Sequence, residues 1–221
     1  ETPKLVQTIH KLGRYYSATK NMLNLAKMQP ALFSSIHIEV VEAPPPTWHF
    51  SIASDQTALV TVLKRLSRGD ETQHLEQLGK LWLTDKPERR FRQACRHEMA
   101  VHAEMQLLSF YDHNPGFTPR LLFMGTGKKA CFLCYEFMSR HPLTMTVSAS
   151  HQKLYPSWMP APCKSSAIRK AHKEMLWAMS RHLEKTAARD IDMRLGIRRP
   201  SAADSSGGPS LPTTEDRKSV V

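Results

Sequence analysis

The sequence predicts an α/β layered domain. In the middle of the chain, stretches that read as strands alternate with stretches that read as helices, in the order strand, helix, strand, helix, strand. Alternation of that kind lays strands into a sheet that helices cover. The chain has 221 residues and is 41% apolar, enough for one domain with a substantial core. Turn clusters such as Asn114-Pro115-Gly116 separate the elements.

The elements follow from local pattern. Leu5, Ile9, Leu12, Tyr16, Met22, Leu25 and Met28 recur at helical spacing, so Leu5–Met28 reads as a helix that Pro30 ends and Gly13 weakens. Ile36–Val41 alternates and is rich in β-branched residues, the mark of a strand. Pro44, Pro45 and Pro46 force an extended loop, and a second strand is expected over Trp48–Ala53. Asp55 is placed to cap a helix running to about Leu66. Arg68-Gly69-Asp70 marks a turn before a helix over Glu71–Leu83. Pro87 suits the first turn of a further helical stretch, whose pattern runs almost unbroken to Tyr111. Arg120–Met124 reads as a buried strand, Cys131–Arg140 as a helix and Met145–Ala149 as a strand. Pro156, Pro160 and Pro162 keep the next stretch extended. Ser166 to about Arg194 is a long helix carrying Arg169, Lys170, Lys173, Arg181, Lys185 and Arg189. Three stretches result: 1–86 with the first helix, first strands and inserted helices, 87–199 with the core and the basic helix, and a polar tail over 200–221 expected to be disordered.

Composition narrows the partners. The formal net charge is +11, and a basic surface favours polyanions such as nucleic acid or nucleotides. No run of 18 apolar residues exists, so no membrane partner is expected. The start shows no secretory pattern, and an intracellular location, cytoplasm or nucleus, is expected. Four cysteines are too few for a disulfide framework at this length.

The chemistry sits in a divided motif. His102-Ala103-Glu104 is followed by Cys131-Phe132-Leu133-Cys134. One imidazole and two thiolates can hold Zn2+ in three corners of a tetrahedron and leave the fourth for water. Glu104 is suited to move that water's protons as general acid and base, without being a ligand. H-x-E followed at a distance by C-x-x-C is the signature of zinc-dependent base deaminases. Residues two apart in mid-helix point about 200° apart, so His102 and Glu104 can face one ion only at a helix start. The spacing therefore predicts a break just before His102, against the local helical pattern. Cys131 and Cys134 should also open a helix, where the dipole favours thiolates. Phe and Leu between the sulfurs argue against a redox pair. His97 and His102 are five apart, which excludes the metalloprotease H-E-x-x-H.

The stretches Val101–Tyr111, Ala130–Phe137 and Ser150–Trp158 resemble a deaminase-like family of the cytidine deaminase-like superfamily, found in fungi and some intracellular bacteria and related to toxins. The resemblance covers about residues 95–162. It implies a three-layer α-β-α fold with a central mixed sheet, here with extra N-terminal and inserted helices. It implies zinc held by His102, Cys131 and Cys134, with Glu104 as proton shuttle. The superfamily usually has Pro before the first Cys, where Ala130 stands here.

The expected activity is hydrolytic deamination of a cytosine or adenine base in nucleic acid or nucleotide. His151, Tyr155 and Trp158 are candidates to stack on or bond the base, with packing beside a proline turn as the alternative. Lys128 and Lys129 are candidates for a substrate phosphate. His97, His113 and His141 are expected at the surface or as caps, and Cys95 and Cys163 as buried thiols. The alternative function is a non-catalytic zinc-containing module that binds nucleic acid or protein, with Cys163 or His151 closing the metal site.

Overall fold

The structure is a computed structural model that describes residues 3–34, 36–44, 49–52, 57–67, 71–82 and 86–195. The tail beyond 200, Asp55 and the turn at 68–70 lie outside the described residues. The chain divides into two compact units, Glu1–Val40 and Val41–Val221.

In the first unit, α1 (Lys4–Met28) forms where its periodicity predicts, and Pro30 then opens a single short turn, α2 (Pro30–Phe33). Pro is suited to a first helical position because its missing N–H would have no partner there. No residue of α1 is buried, and Leu5, Ile9, Leu12, Tyr16 and Met28 are exposed. The strand expected over Ile36–Val41 is not formed; these residues have no ladder partner among the described residues. An alternating pattern suits a pleat, but a strand exists only where a second strand takes its hydrogen bonds.

In the second unit, β1 (His49–Phe50) pairs antiparallel with β2 (His97–Glu98). Three helices come between them: α3 (Ala58–Leu66), α4 (Glu71–Leu81) and α5 (Pro87–Ala94). They enclose a small apolar cluster of Leu59, Leu63 and Leu78. The Glu88 carboxylate of α5 accepts from the Leu59 N–H at 3.0 Å, taking one of the donors that a helix start leaves unpaired.

The apparent helix from Pro87 to Tyr111 is broken where the motif requires. α5 stops at Ala94, β2 and β3 (Ala100–Val101) follow, and α6 (Ala103–His113) starts immediately after His102. A 3-10 turn over Pro115–Phe117 takes up Asn114-Pro115-Gly116. β4 (Phe123–Met124) leads to α7 (Phe132–Met138), then β5 (Thr146–Val147), β6 (Trp158–Met159) and α8 (Ser166–Arg194). β4 pairs parallel with β5, and β3 pairs parallel with β6. A parallel pair needs a crossover between its strands, and α7 supplies it for β4 and β5. The chain thus mixes helix and strand, as expected of an α/β protein. The strands are shorter than the sequence patterns suggest and lie in three two-stranded pairs among the described residues.

The main core lies among α6, α7 and α8. Met105, Leu108, Phe137 and Met138 are at most 2% exposed. Burying side chains of this size contributes roughly 1.5–3 kcal/mol each, which fixes the starts of α6 and α7 relative to each other. No described helix is long and apolar enough to cross a membrane.

Candidate metal centre

His102 is the N-cap of α6, with extended backbone (φ −72°, ψ 152°). Cys131 is the N-cap of α7, also extended (φ −75°, ψ 167°). Both side chains therefore leave the chain at a helix start and can meet beyond its end. Glu104 falls in the first turn of α6, where a negative charge is favoured by the helix dipole.

A loop over 149–155 holds Cys131 from both sides. Ala130 N–H donates to Ala149 O at 3.0 Å, and His151 N–H donates to Ala130 O at 3.0 Å. Phe132 N–H donates to Lys153 O at 3.0 Å. Gln152 turns the loop in a left-handed conformation (φ 58°) that is uncommon for a residue with a Cβ. Its N–H is held by Ser150 Oγ at 3.2 Å. That turn brings the Lys153 carbonyl to the α7 start, where an amide donor would otherwise go unpaired.

Three donor atoms converge. His102 Nδ1 lies 3.5 Å from Cys131 Sγ and 3.4 Å from Cys134 Sγ. These three residues could hold a metal ion. Cys134 N–H donates to Cys131 Sγ at 3.3 Å, and Trp158 Nε1–H donates to Cys134 Sγ at 3.3 Å. Each sulfur thus has one protein N–H directed at it, which favours the thiolate. Glu104 Oε2 is 3.5 Å from Cys134 Sγ but is not one of the three clustered ligands.

Without a metal, the two thiols compete for a proton. The hydrogen bond from Cys134 pulls the Cys131 thiol down to about 4 against the opposing effect of burial, with His102 adding to the pull. Cys134 goes the other way: its bond to Cys131 and its burial push it up, and the charges of Cys131 and Glu104 add to that. Burial works to lower the His102 imidazole, but its bond to Cys131 and the nearby negative charges outweigh burial and raise it.

Tyr155 stands edge-on to His102 at 5.8 Å between ring centroids and makes the same kind of contact with His151. His151 Nδ1 accepts the Lys153 N–H at 3.0 Å, so its proton sits on Nε2. Both residues are half-buried beside the centre. Trp158, grouped with them by the sequence, is buried and commits its indole N–H to Cys134. Lys128 and Lys129 are exposed on the loop leading to Cys131, next to Thr126, whose buried Oγ1 has no hydrogen-bond partner among the described residues.

Two histidines differ in role. His113 is a cap: its Nε2 accepts the N–H groups of Lys164 and Ser165 at 3.1 and 3.5 Å, at the start of α8. His141 is not at the surface. It is 2% exposed and donates to Asp112 Oδ2 at 3.0 Å, as His172 does at 2.7 Å. Nothing local in the sequence signals this bond between α6, the end of α7 and α8. The three residues also lie close enough together to hold a metal ion. Their separations are hydrogen-bond lengths, and the carboxylate satisfies both imidazoles. Against the cost of burial, these two bonds hold the Asp112 carboxyl below the usual range. Cys163 Sγ lies 3.2 Å from His172 Nδ1, so it belongs to this network and not to the metal centre. Burial pushes the thiols of Cys95 and Cys163 up.

Residues 101–162 match the OTT_1508_deam family model, described as a “-like deaminase”. Comparison with curated proteins gave no match, and comparison with solved structures gave none. The matched stretch contains His102, Glu104, Cys131, Cys134 and the 149–155 loop, and it supports deamination as the chemistry of this centre.

Proposed function

We propose that this chain is a zinc-dependent hydrolytic deaminase acting on a cytosine or adenine base in nucleic acid or nucleotide. One observation carries the choice of metal. Zinc bound tetrahedrally at about 2.3 Å from sulfur and about 2.0 Å from nitrogen requires those atoms to be roughly 3.5 Å apart. The two N···S separations are 3.5 and 3.4 Å, so the donor set already has the spacing zinc needs. No fourth Cys, His, Asp or Glu joins the three among the described residues, which favours an open position over a closed structural site. The parallel pairs β3–β6 and β4–β5 and the crossover through α7 support a three-layer, cytidine deaminase-like arrangement.

Zinc held by His102, Cys131 and Cys134 would supply the Lewis acidity that makes water a nucleophile at neutral pH. The protein's own groups do the rest. Trp158 and the Cys134 amide each donate to one sulfur and favour its thiolate form once a metal is bound. Glu104 takes one proton from the attacking water and gives it to the ring nitrogen beside the attacked carbon, then takes the second from the added hydroxyl and gives it to the departing amine. Water enters, ammonia leaves, and a ring carbonyl replaces the amine. Tyr155 and the His151 Nε2–H flank the centre and serve to orient the base, with Lys128 and Lys129 near a phosphate. Trp158 acts on the metal ligand and not on the base.

The test is ammonia release by zinc-loaded protein from a panel of bases, nucleosides, nucleotides and oligonucleotides, alongside Glu104→Gln. The expected result is release from one substrate class and a loss of about 100-fold or more in Glu104→Gln with zinc retained. Full activity in that variant removes the mechanism.

A further inference from the structure

We propose that the cleft between the end of α3 and the C-terminal half of α8 binds the phosphodiester backbone of a single-stranded polynucleotide. This rests on the deaminase reading and narrows its substrate class from nucleotide to polymer. Arg65, Ser67, Arg181, Lys185, Arg189 and two carboxylates line a cleft of about 590 Å³. Arg181, Lys185 and Arg189 recur every four residues, so they stand on one face of α8. The carboxylates are engaged: Glu184 pairs with Arg65, and Asp192 accepts from His74 Nε2 at 3.1 Å. Four cations against two carboxylates leave the cleft at +2, with Arg181 and Lys185 unpaired among the described residues.

Ser67 gives a second, independent sign. Its Oγ is out of water and has no hydrogen-bond partner among the described residues. An orphaned buried hydroxyl costs about 1–3 kcal/mol, and a ligand oxygen reaching Ser67 from the cleft would remove that cost. A net-positive cleft with a spare hydroxyl donor suits a phosphate oxygen. The helix that lines the cleft also reaches the residue after Cys131. His182, next to Arg181, stacks on Phe132 at 6.4 Å, and Phe132 follows the ligand Cys131. A strand whose base enters the metal centre can therefore lay its backbone along α8, where a free nucleoside has nothing to place.

The experiment measures equilibrium binding of single-stranded oligonucleotides to the zinc-loaded full chain as salt is raised. It compares the double variant Arg181→Gln/Lys185→Gln, Ser67→Ala, and inorganic phosphate as competitor. The two cations are exposed, so the double variant should keep its zinc and melting temperature. Expected are roughly tenfold weaker binding and a salt slope shallower by about 1–1.5, the loss of two phosphate contacts on a single strand. Ser67→Ala should weaken binding without lowering stability. Unchanged affinity and slope in the double variant overturn the proposal. So does a double variant that loses phosphate competition yet binds oligonucleotide as before, which makes the cleft a free-phosphate site. Ammonia release is scored separately: a chain that binds oligonucleotide through the cleft but deaminates nothing refutes the reaction and leaves the cleft standing.

Discussion

Replacing Trp158 with Phe separates metal affinity from fold stability. The indole N–H donates to Cys134 Sγ at 3.3 Å, and the ring packs beside Phe137 at 6.1 Å. Phe keeps an aromatic ring there but has no donor. A hydrogen bond to a charged acceptor contributes about 1.5–3 kcal/mol. At 1.4 kcal/mol per tenfold, zinc should bind roughly 10–100 times more weakly, in line with losses seen when groups supporting metal ligands are removed. The donor also lowers the Cys134 pKa, so its loss raises that pKa further and moves the midpoint of zinc loading to higher pH. The smaller ring leaves a void worth about 1–2 kcal/mol of stability, a separate quantity that melting in the presence of chelator reads alone. Zinc affinity comes from competition with a chelating indicator at fixed pH. An affinity within twofold of the parent chain would show that the indole does not support the thiolate, and the reasoning would be wrong.

Zinc loading should weaken as pH falls, because Cys134 starts protonated and His102 is raised, and both must shed protons to bind. Titration calorimetry in buffers of different ionisation enthalpy should show release of about one to two protons near neutral pH; no release contradicts the proton sharing. Asp112→Asn removes the charge that accepts two buried imidazole N–H groups and should cost about 2–4 kcal/mol by chemical denaturation. Its folded pKa is depressed, so the Asp112 contribution is present above the unfolded value near 4 and fades as pH falls through the folded value. The gap between parent and variant should hold steady above about pH 4 and close below it; a gap that widens in acid refutes this.

The convergence of His102, Cys131 and Cys134 was legible because its geometry is local. Glu104 lies two positions after His102, and Cys134 lies three after Cys131, so the spacing points to helix starts at both places. α6 and α7 begin there, even though the pattern before His102 continues to read as helix. What spacing cannot encode is a partner far along the chain. Asp112 meets His141 across 29 residues and His172 across 60, and only the packing of α6, α7 and α8 brings them together. Trp158 reads, with His151 and Tyr155, as a candidate to contact the base or as packing beside a proline turn, and its bond to Cys134 emerges only once β6 lies beside β3. The stretch 36–41 fails as a strand for the same reason, since alternation specifies faces but supplies no neighbour. Ser67 carries no signal at all until the cleft around it is built.

X-ray absorption at the zinc edge of the metal-loaded protein tests the central claim most directly. One ion per chain is expected, with two sulfurs at about 2.3 Å, one imidazole nitrogen and one further light atom exchangeable with solvent. A third sulfur, four protein ligands with no exchangeable position, or a spectrum unchanged when His102 is replaced by Ala would contradict it.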